Sequence, residues 1–156
     1  MGGATPPDEA ELIALVGTEL PPGRHRIDPV VSRMLDSAVR APTPPGPAPE
    51  PHPIWSFVVA QTGIGLDVGG LLGLFGSSGA DGPMLGECDL DMLRPFETGV
   101  EYAVTGRVTR AVRKKGRALG VFDLVTVEYE VHAPDSLLVA RCRETFVLPR
   151  REAAQA

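Results

Sequence analysis

The spacing of hydrophobic and polar residues changes once along the chain, near residue 84. Before that point apolar residues recur at helical spacing, and after it they alternate with polar residues in four stretches. These stretches begin near Met84, Val100, Val121 and Leu138. Alternation of this kind is typical of strands with one buried face. We therefore expect four half-buried strands, with hairpin turns at residues 114–117 and 133–136.

Three helices are predicted before the strands. Residues 8–16 form a short helix with an acidic first turn. Asp28 and Pro29 begin a second helix, as N-cap and first helical residue. Residues 54–62 (IWSFVVAQT) are almost continuously apolar, which predicts a buried helix. Residues 17–26 are rich in turn-forming residues and are expected to form turns.

A buried helix followed by a long antiparallel meander predicts an α+β fold in which the sheet wraps around the helix. A single curled sheet of this kind leaves strand edges and an open side. Pairing with a second, similar unit would close both.

Proline and glycine are unusually frequent and unevenly placed. The chain has 16 prolines and 18 glycines in 156 residues, with seven of the prolines between Pro42 and Pro53. Nine of the glycines lie between Gly63 and Gly86. The proline block excludes a helix or a central strand over residues 40–53, so an extended connector is expected.

Charge and hydropathy exclude several classes of protein. The net charge of −5 argues against sequence-independent binding of nucleic acid, and no apolar run suits a membrane span. One basic cluster stands out. It is either a solvated hairpin tip or a docking site for a phosphate-bearing ligand arm or an acidic carrier protein. The residues that we assign to docking are Arg113, Lys114, Lys115 and Arg117.

The two cysteines, Cys88 and Cys142, occupy apolar positions of predicted strands and are expected to be buried, reduced thiols. Their spacing predicts no metal site. Because no secretory signal is recognisable, we expect a cytoplasmic protein. One domain is expected over residues 12–149, with a loose N-terminus at 1–11 and a flexible tail at 150–156.

Several short strings, in their order along the chain, resemble the MaoC-like hydratases and dehydratases, also known as (R)-specific enoyl-CoA hydratases. The likeness covers roughly residues 12–149 and is nearest to the N-terminal or accessory half of two-subunit acyl dehydratases. It implies the hot-dog fold. The strings are at residues 16–22, 30–39, 53–55, 85–87, 94–96, 115–117 and 138–141.

The catalytic loop of that family does not match. Catalytic members carry D-x-N-P-x-H, whose Asp and His handle the protons of the added water. Here Ala41 stands in place of the Asp, Thr43 in place of the Asn and Gly46 in place of the His. Pro53 also lacks the N–H that relatives present to the thioester carbonyl at the start of the central helix.

Other side chains remain as candidates for chemistry. The catalytic candidates are His52, Asp67, Glu87 and Asp123. Each also has a structural interpretation: helix entry for His52, a helix cap for Asp67, a surface or interface salt bridge for Glu87. Asp123 shares an apolar strand face and needs an edge position or a partner, such as Arg107 or Arg141. The residues expected to line an acyl pocket are Trp55, Phe57, Gly63 and Gly65.

The resemblance implies an accessory subunit, without its own catalytic dyad, of a heteromeric enoyl-thioester hydratase or 3-hydroxyacyl dehydratase in fatty acid or steroid metabolism. Its partner would be a catalytic MaoC-like subunit, and its ligand an acyl-CoA or acyl-carrier thioester, with no further cofactor. Two alternatives remain open. One is a stand-alone homodimeric thioesterase or dehydratase, and the other is a non-enzymatic acyl-binding module.

Overall fold

Four helices and five strands form the part of the chain that the computed structural model describes, residues 5–42 and 50–150. The helices are α1 (Glu9–Ala14), α2 (Pro29–Ala38), α3 (Trp55–Gly63) and α4 (Val68–Leu74). The strands are β1 (Glu19–Arg26), β2 (Met84–Met92), β3 (Glu101–Gly116), β4 (Gly120–His132) and β5 (Leu138–Pro149). A single 3-10 turn, Gly79–Asp81, precedes β2.

Local capping starts three of the helices. The Asp8 carboxylate accepts from the Glu11 N–H at 2.8 Å and begins α1. Asp28 caps α2 ahead of Pro29, as predicted. Asp67 accepts from the Gly70 N–H at 2.7 Å and begins α4. In each case an aspartate satisfies N–H groups that have no partner within the helix.

β1 corrects the expectation of turns over residues 17–26. Its two prolines, Pro21 and Pro22, fall where the pairing with β3 shifts register between Leu20 and Gly23. β1 is the first strand of the sheet and pairs only with β3. An edge strand with a bulge tolerates prolines because residues at these positions need not donate an N–H to a neighbouring strand.

The sheet is antiparallel, with strand order β1-β3-β4-β5-β2. The turn between β4 and β5 lies where it was predicted, closed by the Ser136 N–H donating to Ala133 O at 2.9 Å. The predicted turn at 114–117 is displaced. Lys114 and Lys115 are still paired with β4, because the ladder continues as far as Gly116 opposite Gly120.

α3 lies on one face of the sheet, here called the helix face, and the core forms between them. Trp55, Val59 and Ala60 of α3 are buried, as are the inward residues of β3, β4 and β5. This confirms the predicted buried helix. In the described residues no single helix is long and apolar enough to cross a membrane. Taken together, α3 and α4 have the length and composition of a membrane span, but they are bent by 70° relative to each other.

Burial differs from expectation at β2 and at the chain ends. All residues of β2 are exposed, so it is not half-buried, and the Cys88 thiol is exposed while Cys142 is buried. β2 is the other edge of the sheet, paired on one side with β5. Arg150, assigned to the tail, is buried, and α1 begins within the N-terminus expected to be loose.

Candidate functional site

The N-terminus of α3 offers no free backbone donor. The Ile54 N–H donates to the His52 Nδ1 atom at 3.1 Å, and the Trp55 N–H donates to His52 O at 3.0 Å. The Ser56 N–H donates to Pro53 O at 3.0 Å, and Pro53 itself has no N–H. A thioester carbonyl placed here would therefore find no donor of the oxyanion-hole kind among residues 53–56.

The place of the family's catalytic loop lies only partly within the described residues. Ala41 is half-buried, and its N–H donates to Asp36 O at 2.9 Å, just after the end of α2. Its methyl side chain has no proton to transfer. Thr43 and Gly46, the other two positions compared with the loop, lie outside the described residues.

The four catalytic candidates occupy separate parts of the fold. His52 lies before α3, Asp67 caps α4, Glu87 is exposed on β2 and Asp123 is buried on β4. Within residues 5–42 and 50–150, no hydrogen bond joins any two of them. Among the described residues, the four candidates therefore form no directly hydrogen-bonded acid–base pair.

Asp123 belongs to a buried ion cluster. Arg113 Nε and Nη2 donate to its two oxygens at 2.8 and 3.0 Å, and Arg150 Nε donates at 2.7 Å. Its partners are therefore not Arg107 or Arg141. Arg150 also donates to the carbonyl oxygens of Phe75 and Gly76 at 2.6 Å each, which ties the end of α4 to β4. These contacts neutralise the carboxylate and give it a structural role.

The expected acyl-pocket residues are largely used in packing. Trp55 is buried, its Nε1 donates to Ser32 Oγ at 3.3 Å, and its ring lies 5.7 Å from that of His25. A Cβ atom on Gly63 would lie 2.5 Å from Val104 Cγ2, and one on Gly65 would lie 2.8 Å from the Pro21 and Pro22 carbonyl oxygens. These glycines permit close packing of α3 against β1 and β3, and leave no space for an acyl group.

Phe57 is the remaining member of that set. It is half-buried and packs against the core from the partly exposed side of α3. A cavity of 720 Å³ opens elsewhere, between the segment that joins β2 to β3 and the turn that joins β4 to β5. None of the four expected residues lines it. Its walls include Arg94, Phe96, Tyr102, Pro134 and Val139.

A second buried carboxyl group, Glu144 on β5, was not predicted. It is fully buried against α3, where the Gln61 amide donates to Oε2. The Cys142 thiol donates to Oε1 at 3.2 Å. Burial raises the pKa of Glu144, which favours its neutral form. Two signals were available: Gln61 is the polar residue of an apolar helix, and Glu144 interrupts the apolar face of β5.

The basic cluster at the β3–β4 tip is divided by the fold. Arg113 is held by Asp123 and also donates to the Pro7 carbonyl at 2.8 Å, so its guanidinium group is engaged. Lys114, Lys115 and Arg117 are exposed. The role of these three cations in docking stays a prediction.

The edge of the sheet formed by β2, here called the free edge, carries different residues on its two faces. The β2–β5 register places Leu85, Cys88, Leu90 and Met92 on the helix face, and the leucines and Met92 are 41–47% exposed. The outer face carries the carboxylates of Glu87, Asp89 and Asp91. Asp89 lies 3.5 Å from Arg143. Glu87 and Asp91 have no ion pair with the described residues.

Comparison with known proteins identifies the architecture. No protein-family model and no curated protein matches the sequence. The structure is similar to the ChsH1–ChsH2 complex from Mycobacterium tuberculosis, with a TM-score of 0.65 and 17% identity over 89% of this chain and 87% of that chain. It is also similar to the HadBC (3R)-hydroxyacyl-ACP dehydratase complex of the same organism, with a TM-score of 0.65 and 14% identity over 85% of this chain and 96% of that chain.

A third structure supports the same architecture. A MaoC-like dehydratase from Rhodospirillum rubrum matches with a TM-score of 0.55 and 18% identity over 86% of this chain and 93% of that chain. The chain has the hot-dog fold. This confirms the α+β class and the wrapped central helix expected from the sequence. In hot-dog terms α3 is the central helix, and β2 is one of the two edge strands of the sheet.

Proposed function

We propose that this chain is an accessory hot-dog subunit of a heteromeric MaoC-like enoyl-thioester hydratase or 3-hydroxyacyl dehydratase. A partner subunit with an intact Asp/His loop supplies the proton transfers. The bound ligand is an acyl-CoA or acyl-carrier thioester, and this chain helps to shape the acyl pocket across the shared interface.

The start of the central helix is the main support for a non-catalytic role. A hydratase needs a group that moves the proton of water and a donor that holds the thioester oxygen. Ala41 supplies no proton-transfer group, and the N–H groups at residues 54–56 are all engaged with His52 and Pro53. In this proposal, the proton-transfer group and the donor to the thioester oxygen are therefore supplied by another chain.

The free edge at β2 supports association. Leu85, Leu90 and Met92 lie on the helix face but are 41–47% exposed, so this chain leaves them partly uncovered. A long exposed edge strand with an apolar face favours pairing with another chain. A second hot-dog unit placed against β2 would continue the ladder and cover these side chains.

Charge on the same strand favours a partner other than a second copy. In an antiparallel pair of two β2 strands that keep their helix faces on one side, the outer-face carboxylates of both copies would meet. Glu87, Asp89 and Asp91 would then lie near their own equivalents, and like charges across strands are destabilising. A partner with basic residues on its edge strand avoids this and gives specificity. The similar structures ChsH1–ChsH2 and HadBC are both complexes of two different subunits.

The decisive experiment measures activity and assembly together. The chain is purified alone and with a MaoC-like subunit that carries the Asp/His loop, and both samples are assayed with an enoyl-CoA and analysed by native mass spectrometry. We expect a heteromer that hydrates the substrate and an isolated chain without activity. Robust hydration by the isolated chain would overturn the proposal.

Charge reversal on β2 tests how the partner is recognised. Asp89→Lys combined with Asp91→Lys should weaken the heteromer by at least about tenfold, because two attractive contacts become repulsive. Glu19→Lys, an exposed carboxylate on the opposite edge strand β1, is the matched control and should leave the affinity unchanged. Equal effects of the two changes would show that β2 is not the interface.

A further inference from the structure

Pairing of β2 with β5 brings two thiols and a carboxyl group together. Cys88 lies opposite Glu144 in the ladder, and Cys142 precedes Glu144 by two residues, so all three side chains lie on the helix face. One ligand atom from each lies within 4.8 Å of the other two. We propose that Cys88, Cys142 and Glu144 bind a Zn²⁺ ion whose fourth position opens at the free sheet edge. This site goes beyond the proposed accessory role and does not depend on it.

The donor set and its dimensions suit zinc. Thiolates bind Zn²⁺ at about 2.3 Å and carboxylates at about 2.0–2.2 Å, so tetrahedral ligand atoms lie about 3.5–3.8 Å apart. The Cys142 Sγ atom is already 3.2 Å from Glu144 Oε1. Cys88 lies on the exposed strand β2, and its Sγ atom is within 4.8 Å of ligand atoms of the other two residues.

A buried carboxyl group without a cation gives an independent reason for an ion. Buried carboxylates are paired with cations, bind metals or stay protonated. Asp123 has two arginines, whereas Glu144 has no arginine, lysine or histidine in salt-bridge contact within the described part of the chain. A divalent ion would supply the missing positive charge, and the thiols and the carboxyl group would release their protons to solvent as it binds.

Neighbouring polar groups are placed to support such a site. The Gln61 amide holds Glu144 Oε2 and leaves Oε1 directed towards Cys142. Tyr129 lies opposite Cys142 in the β4–β5 ladder, and its buried hydroxyl has no hydrogen-bond partner among the described residues. Polar groups that contact the ligands rather than the metal orient those ligands and adjust the affinity for the metal. Three protein ligands and one open position are the arrangement of zinc sites that also bind water or a further ligand.

Cobalt provides a direct spectroscopic test. The isolated full chain, reduced and kept anaerobic, is titrated with Co²⁺ alone. We expect saturation at one ion per chain, with the near-ultraviolet charge-transfer absorption that thiolate–cobalt bonds produce. Added Zn²⁺ should abolish this absorption, because Zn²⁺ binds such ligands more tightly than Co²⁺.

Single substitutions identify the ligands. Cys88→Ser, Cys142→Ser and Glu144→Gln should each weaken Co²⁺ binding by at least about tenfold, and the two cysteine variants should also lower the charge-transfer intensity. The matched control is Asp89→Asn, an exposed carboxylate next to Cys88 on β2 that faces the other side of the sheet. It should bind like the wild type.

Stability measurements keep the test meaningful if a buried substitution disturbs folding. Cys88 is exposed, so Cys88→Ser should fold, and circular dichroism checks this. Zn²⁺ should raise the melting temperature of the wild type and leave that of Cys88→Ser unchanged. The proposal is overturned if the reduced wild type takes up no Co²⁺, if uptake is unchanged in Cys88→Ser, or if Zn²⁺ stabilises both proteins equally.

Discussion

Asp123 and Glu144 are both fully buried carboxyl groups on neighbouring strands, but the chain treats them in opposite ways. Two guanidinium groups, from Arg113 and Arg150, surround Asp123. Among the described residues, Glu144 forms side-chain hydrogen bonds only with the Gln61 amide and the Cys142 thiol. Burial alone therefore does not distinguish a structural carboxylate from one that is available to bind an ion. The groups in contact with the carboxylate make that distinction.

The difference follows the position of each residue in the sheet. Asp123 lies where β3, β4, the end of α4 and Arg150, just after β5, meet, so this chain itself provides its ion-pair partners. Glu144 lies beside the free strand β2, where side chains on the helix face remain uncovered. The ion cluster on the central strand β4 is complete within this chain, whereas the edge strand β2 leaves groups available to an ion or to a second subunit.

The largest effect is expected from breaking the ion cluster around Asp123. Asp123→Asn leaves Arg150 buried without its counter-charge, so the free energy of unfolding should fall by about 3–5 kcal/mol. Urea unfolding of the isolated chain measures this. Asp89→Asn, which removes an exposed carboxylate, should change stability by less than about 0.5 kcal/mol. Similar small losses in both variants would contradict a structural role for the Asp123 cluster.

A smaller loss of stability is expected from a substitution where α3 packs against the sheet. Gly63→Ala places a methyl group 2.5 Å from Val104 Cγ2 and should cost about 1–3 kcal/mol of stability. Gly73→Ala is the control, since no atom lies within 4 Å of a Cβ there and α4 should gain about 0.5–1 kcal/mol. Tolerance of Gly63→Ala in thermal and urea unfolding would mean that this glycine does leave usable space.

The smallest effect is expected at Glu144 and depends on pH. Burial raises its pKa, so the folded chain keeps a proton that the unfolded chain loses above the ordinary value of 4.5. Its contribution to stability is full below that value and falls as pH rises towards the folded-state pKa. Glu144→Gln should remove this decline and be the more stable protein near neutral pH. Urea unfolding at several pH values, with a chelator present, tests this, and parallel pH profiles would contradict it.

Much of the fold could be predicted because its signals are local. Asp8 and Asp28 mark helix starts through their own side chains, and the apolar run at residues 54–62 has no other stable place than the core. The residue pattern missed β1 because Pro21 and Pro22 argue against a strand unless it is known to be an edge with a bulge, although the family resemblance of residues 16–22 is to an opening strand and turn. The exposure of β2 could not be predicted either, because alternation of apolar and polar residues does not show whether another element covers the apolar face.

The candidate site was harder to predict because it depends on contacts between distant residues. Ala41 has no proton-transfer group and Pro53 has no N–H, and both are properties of single residues that can be read directly. The acyl-pocket role of Gly63 and Gly65 could not be judged, because a glycine makes space only if no neighbour fills it. Val104 and Pro21, which fill it, come from other strands.

Residue identity alone thus determines the helix caps, the buried central helix, the alternation of the last four strands and the lack of a proton-transfer group at Ala41, since each rests on single residues or on neighbours a few residues apart. The partners of Asp123 and the meeting of Cys88, Cys142 and Glu144 depend on strand register. Register joins residues far apart in the chain, and a shift of one position would turn each side chain to the opposite face of the sheet.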